Sequence, residues 1–210
     1  MRLLTESPIG FEPARPWQEL ETHVRGQSRL FHQIAALRRS PHTGREHEFT
    51  RLHCPEWVNV IAFRAPEEGG ELLVVEQFRH GIDASTLEIV GGVCDPGEDP
   101  SESGKRELLE ETGHIPGRWI PLGSCTPNPA IQDNHCHFFL ALDCRPAGDQ
   151  RLDQCEEIRL WAVPWREWED KLRTGEIHHA LVLAAFLRLF YWPGWLDLKA
   201  SLERAVAGAE

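Results

Sequence analysis

Glu107, Glu110 and Glu111 stand at i, i+3 and i+4 in residues 92–115, GVCDPGEDPSESGKRELLEETGHI. Asp99 before Pro100 reads as an N-cap and first helical residue, Glu102 stands three after Asp99 as in a capping box, and Gly113 is a natural left-handed stop. On such a helix the three carboxylates share one face. Like charges at these spacings cost about 0.2–0.5 kcal/mol per pair, and the negative end of the helix dipole adds to that cost. A divalent cation would reverse both penalties, and carboxylate oxygens are what Mg²⁺ or Mn²⁺ prefers beside waters and substrate phosphates. The competing reading is a solvated acidic face.

The surrounding residues narrow the choice. Gly92, Glu98, Arg106-Glu107-Leu108, Glu110-Glu111 and Gly113 fall in a fixed register that resembles the Nudix box of the Nudix hydrolase family. That resemblance implies a Nudix fold, in which a mixed β-sheet is sandwiched between α-helices (α/β or α+β), with an N-terminal β element that helps such proteins dimerise. It also implies that Glu107, Glu110 and Glu111, with the backbone carbonyl of Gly91, hold Mg²⁺ or Mn²⁺. Arg106 would pair with Glu98 or orient a ligand carboxylate through a bidentate contact. The family pattern places an apolar residue after the last glycine. Here His114 stands there and Ile115 follows, which reads as a packing contact slipped by one position.

Within the family the chain looks most like the ADP-ribose and nucleoside diphosphate sugar pyrophosphatases. Glu76-Gln77-Phe78-Arg79 is similar to their strand ending in Gln-aromatic-Arg, and Leu87-Glu88-Ile89-Val90-Gly91-Gly92 to their approach to the box, with Val90 where proline is common. Pro129 and Glu156-Glu157-Ile158 are similar to their late proline and late acidic loop. The resemblance makes Arg79, Glu88 and Pro129 substrate-binding candidates, and Glu156, with Glu157 as runner-up, the candidate general base. The bland readings are a strand-edge cation for Arg79, a turn acid for Glu88 and solvated acids for Glu156 and Glu157. The implied activity is metal-dependent hydrolysis of ADP-ribose or a related nucleoside diphosphate sugar to a nucleoside monophosphate and a sugar phosphate. The alternatives are a Nudix domain that senses nucleotide sugars without turnover, and a hydrolase of dinucleoside polyphosphates or capped RNA.

The whole chain bounds these readings. Its 210 residues allow one domain with a sizeable core and a small appended element. A net charge of −11 argues against a nucleic-acid partner, so an anionic substrate must be met by metal ions and a few placed arginines. No segment reads as a signal peptide or a membrane span. The cysteines, Cys54, Cys94, Cys125, Cys136, Cys144 and Cys155, include no C-x-x-C pair and fit reduced thiols in the cytoplasm. In His135-Cys136-His137 the histidines and the cysteine would face opposite sides of a strand, which disfavours joint zinc ligation.

The elements that must position the acids follow from pattern. Residues 1–27 read as an irregular lead-in, and residues 28–39 and 45–53 as a hairpin. Strands are expected at 57–63, 71–78, 119–125, 135–142 and 157–163, with a turn at 66–70 and a polar stretch over 143–156. A helix should start at Pro164 and end at Thr174-Gly175, and an apolar helix should span about residues 177–192, stopped by Pro193-Gly194. The expected division is a lead-in and dimerising hairpin over 1–55, a hydrolase domain over 56–192, and a tail helix over 193–210.

Overall fold

In the computed structural model, which describes residues 14–65, 70–152 and 156–207, the first hairpin closes on Ser40. Its hydroxyl accepts from the N–H groups of His42 and Thr43, and Gly44 takes a left-handed φ of 68°. This turn joins β2 (His32–Arg39) to β3 (Glu46–His53) in antiparallel register, Arg39 opposite Glu46. Part of the expected lead-in is instead β1 (Gln18–Gln27), paired with β2 through two register shifts. Its sequence, QELETHVRGQ, hides this because the strand is exposed along most of its length and has no apolar face to betray it. These three strands, with Asn128–Asp133 attached through the Leu52 N–H on Ile131 O (2.7 Å) and the His53–Asp133 pair (2.9 Å), belong to a compact unit bounded by Cys54.

The second unit takes Pro55–Pro127 and Asn134–Glu210. Runs such as VNVIAF and LLVV are apolar on consecutive positions and need cover on both faces, so they become central strands. The sheet contains β4 (Trp57–Arg64), β5 (Leu72–Arg79), β6 (Ala84–Glu88), β7 (Val90–Val93), β8 (His114–Ile115), β9 (Arg118–Cys125), β10 (Cys136–Pro146) and β11 (Ile158–Val163). The path β11-β5-β4-β10-β8 is mixed, with β4 and β10 parallel, while β6 joins β5, β7 joins β4 and β9 joins β10. Helix α1 (Pro100–Thr112) covers one face, packing Leu108 with Val58, Val60, Ala62, Val75 and Phe139. The other face carries α2 (Trp165–Thr174), α3 (Ala180–Phe190) and α4 (Trp195–Ala207), with Trp165, Trp168 and Phe186 against Ile61, Phe63, Phe138 and Leu140. This is the mixed sheet between helices that the sequence predicts.

Several local expectations shift. Strand β10 runs on to Pro146, through a register shift after Ala141 and a positive φ at Asp143, so the polar stretch begins later than expected. Helix α3 begins at Ala180 because Ile177 is drawn into the core and His179 takes the extended N-cap conformation. Most of the turn expected at 66–70 lies outside the described residues. Among the described residues no single helix is long and apolar enough to cross a membrane. Cys54, Cys94, Cys125, Cys136 and Cys144 are unpaired thiols, and Cys155 lies outside the described residues.

Candidate active site on the acidic helix

Helix α1 is built as its sequence predicts at both ends. Asp99 accepts from the Ser101 N–H at 2.9 Å, Pro100 opens the helix, and Gly113 closes it at φ 69° with its N–H on Leu109 O. The capping box is not completed, since Glu102 takes Lys105 at 2.8 Å instead. The buried stripe of the helix is Ser103, Gly104, Glu107, Leu108, Glu111 and Thr112. Two of the three acids therefore lie against the sheet, Glu107 at 8% exposure and Glu111 at 4%, which rules out a solvated acidic face. Glu110 sits at the margin.

Strand β7 makes room for them. Gly91 donates its N–H to Glu111 Oε2 at 3.1 Å. At Gly92 an added Cβ would come within 2.2 Å of Glu107 Oε1, so any side chain here would have to push the Glu107 carboxylate from its place. Burial pushes the Glu107 carboxyl up to about 7; Arg106 opposes this, while Glu110 and Glu156 add to it. Burial also raises Glu111 well above the ordinary carboxylate range, helped by Glu107 and Glu156 and opposed by the Gly91 N–H. Glu156 thus acts on the same two acids. Glu157 is exposed.

Arg106 is the strut of the site. Its Nε and Nη2 grip the two oxygens of Glu98 at 3.2 and 3.0 Å, and Nη1 reaches Glu107 at 2.9 Å and Glu110 at 3.0 Å. Glu98 also accepts from Ser103 Oγ (2.6 Å) and the Asp95 N–H (3.2 Å). The hydrogen bonds from Arg106 and Ser103 hold the Glu98 carboxyl down at about 2. A folded value below the ordinary 4.5 means that Glu98 contributes stability above pH 4.5 that is lost as pH falls toward 2. Glu98→Gln should therefore flatten the acid limb of a stability-against-pH curve between those values, measured by urea unfolding at each pH; an unchanged slope would contradict this assignment.

A second ion pair lies on the strands. Glu88, 1% exposed on β6, accepts Arg79 Nε and Nη2 at 2.6 Å each and Thr86 Oγ1 at 2.5 Å. Burial pushes its carboxyl up, but Arg79 and Thr86 overcome that and leave it below its ordinary value. Arg79 remains 43% exposed and lies in the field of Glu111 and Glu156. Arg79 is thus more than a strand-edge cation, and Glu88 more than a turn acid. His179, at the N-cap of α3, places Nε2 3.6 Å from Glu88, and burial lowers its pKa. Neither His179 nor Thr86 stands out in the sequence as a site residue. The period-2 spacing of Thr86 and Glu88 on one strand face is a signal that could have found the latter, whereas nothing local marks His179.

The other expectations concern separate parts of the chain. Pro129 belongs to the first unit, in an exposed turn, whereas the acids and Arg79 belong to the second. Ile115 is 50% exposed, so the slipped packing contact is not made; His114 instead turns Nδ1 onto Thr112 O at 2.7 Å. Cys136 is in the core, while His135 and His137 both turn to Glu56, at 3.6 and 2.7 Å. Among the described residues no three histidine, cysteine or acidic side chains are grouped closely enough to hold a metal ion by themselves. The donor set on α1 is oxygen only, with two buried carboxylates that their neighbours, Arg106 at Glu107 and the Gly91 N–H and Arg79 at Glu111, do not bring down to ordinary acidity. That chemistry fits an open Mg²⁺ or Mn²⁺ site completed by water and substrate.

Comparison with known proteins agrees with this architecture. A family model described as the NUDIX domain matches residues 55–186. An ADP-ribose pyrophosphatase of Bacillus subtilis (strain 168) is 26% identical over 144 residues, covering 68% of this chain and 74% of that protein. An ADP-ribose pyrophosphatase of Mycobacterium tuberculosis (strain ATCC 25618 / H37Rv) is 27% identical over 134 residues, 63% of this chain and 65% of that protein. The crystal structure of an ADP compounds hydrolase superposes with a TM-score of 0.74 at 20% identity, covering 87% of this chain and 96% of the other, which speaks for the fold.

Proposed function

Because the chain belongs to the Nudix hydrolase family, we propose that it is a metal-dependent pyrophosphohydrolase that splits ADP-ribose or a related nucleoside diphosphate sugar into a nucleoside monophosphate and a sugar phosphate. The observation that carries this reading is the pair of buried carboxylates, Glu107 and Glu111, set against the glycines of β7, with Arg106 bridging Glu107 to Glu110 at their edge. The pyrophosphatase names of the two relatives support the substrate class.

Glu107, Glu110 and Glu111, with the Gly91 carbonyl, would hold Mg²⁺ or Mn²⁺, the cation competing with Arg106 for Glu107 and Glu110. When bound, such a cation supplies positive charge to the pyrophosphate oxygens and acidifies water. Arg106, locked on Glu98, positions the acids. Glu156 takes the proton of the attacking water as its oxygen bonds to one phosphorus and the bridging P–O bond breaks. The expelled phosphate keeps the bridging oxygen.

Arg79, its guanidinium plane fixed by Glu88, binds a substrate phosphate or the sugar carrying it. Arg79→Ala should raise KM about tenfold or more with a smaller fall in kcat, as the loss of a charge-assisted hydrogen bond predicts. Steady-state kinetics on ADP-ribose measures this, and a pure kcat effect would contradict it.

The reading as a whole is tested with nucleoside diphosphate sugars and dinucleoside polyphosphates under Mg²⁺ or Mn²⁺, with products separated and identified. Nucleoside monophosphate plus sugar phosphate from the former, in preference to the latter, is expected; calorimetric binding without product would mean a sensor.

We also assign the chain a homodimer, supported by Trp17, Val24, Phe49 and Leu30, exposed in the three-stranded unit. Light scattering should give twice the chain mass, and Val24→Asp should lower it; a monomeric wild type would refute the assignment. The unpaired thiols fit a reducing cytoplasm.

A further inference from the structure

The C-terminal turn of α1 carries Glu110 and Glu111 where a helix leaves its carbonyls without partners and its dipole is negative. Every one of these carbonyls is nonetheless filled. Leu109 O accepts the Gly113 N–H at 2.8 Å, and Thr112 O takes His114 Nδ1. The others are taken by one short segment, residues 147–151, that follows β10. The Arg151 N–H donates to Glu110 O at 2.8 Å, Gln150 Nε2 to Glu111 O at 2.6 Å, and the N–H groups of Ala147 and Gly148 to Gly113 O at 2.7 and 3.2 Å.

The fit is close: an added Cβ at Gly113 would meet Gly148 O at 2.2 Å. Helix ends fray unless tied down, and here the two acids that would fray are the ones whose oxygens must meet a cation. The backbone of both residues is held by donors from outside the helix. Of these, Gln150 is the sole side chain, so it is the part of the tie that substitution can remove without disturbing the backbone.

We propose that Gln150 is a positioning residue for the divalent-cation site, fixing the last turn of α1 through Glu111 O and so the directions of the Glu110 and Glu111 carboxylates. Gln150 touches neither cation nor substrate in this role. The inference rests on the reading of α1 as the cation-binding helix. It assigns to residues 147–151 a task beyond connecting β10 to β11.

Gln150→Met keeps the length of the side chain and removes the donor; Gln150→Ala removes both. Mn²⁺ alone is titrated calorimetrically into wild type, both variants and Glu110→Gln, and melting temperatures are measured in EDTA. Loss of an outer partner of a metal site typically weakens affinity 10- to 100-fold, so Mn²⁺ binding should weaken about tenfold in both Gln150 variants. On ADP-ribose kcat should fall in step while KM stays within about twofold. The EDTA melting temperature should move by no more than about 3 °C, the scale of one exposed hydrogen bond in a chain of this size. Wild-type Mn²⁺ affinity in the Gln150 variants, with weakened affinity in Glu110→Gln, overturns the positioning role and leaves α1 as the cation helix. Wild-type affinity in all of them overturns both. A lowered melting temperature with unchanged Mn²⁺ affinity and kcat makes Gln150 merely structural and also overturns the proposal.

Discussion

Glu110→Gln and Glu111→Gln should each cut turnover of ADP-ribose by about a thousandfold while the protein stays folded. Each substitution keeps the size of the side chain and removes a negative oxygen from the α1 donor set. A catalytic metal supplies several kcal/mol of charge stabilisation, and about 4 kcal/mol corresponds to roughly three orders of magnitude in rate. Folding should survive for different reasons at the two positions. Glu110 is part exposed and gives up only its share of Arg106. Glu111 is buried with its pKa driven up by that burial, so a neutral amide suits the metal-free site at least as well, with its carbonyl oxygen still accepting the Gly91 N–H. In EDTA Glu111→Gln should melt at or above the wild-type temperature and Glu110→Gln close to it, and Mg²⁺ should then raise the wild type more than either. Near-wild-type kcat in both would remove the acidic helix from the chemistry.

The second large effect belongs to the proton acceptor. Glu156→Gln should lower kcat by about 10²- to 10⁴-fold with little change in KM, because a general base acts on the attacking water and not on the bound sugar. Glu157→Gln should stay within about threefold of wild type, the margin expected for an exposed side chain that binds neither water nor substrate. The two are adjacent in sequence but differ in place. Glu156 is half-buried and acts on Glu107 and Glu111, and Ile158, which opens β11 two residues on, packs into the α1 face of the sheet. Full activity of Glu156→Gln with loss in Glu157→Gln would move the base by one residue; full activity in both would remove this loop from the reaction.

What the sequence discloses and what it conceals divide along physical lines. Helix α1 is legible because its stops are local chemistry: an Asp-Pro start, a left-handed glycine end and acids at helical spacing. The central strands are legible because double burial forces unbroken apolar runs. Strand β1 is not, because a polar edge strand makes its case only through the neighbour it pairs with. The same holds for Arg79 and Glu88: each is visible alone as a charge, but only the β5–β6 register shows that one holds the other. Gln150 and His179 are beyond reading in this way, since their partners lie 39 and more than 90 positions distant in the chain.

One measurement is the most direct test: ADP-ribose incubated with the protein and Mg²⁺, with the products followed by phosphorus NMR before and after addition of EDTA. The expected result is loss of the pyrophosphate signals and equal growth of AMP and ribose 5-phosphate, stopping on chelation and resuming when Mg²⁺ is restored in excess. Pyrophosphate signals that persist with Mg²⁺ present, or hydrolysis that continues at full rate in EDTA, would contradict it.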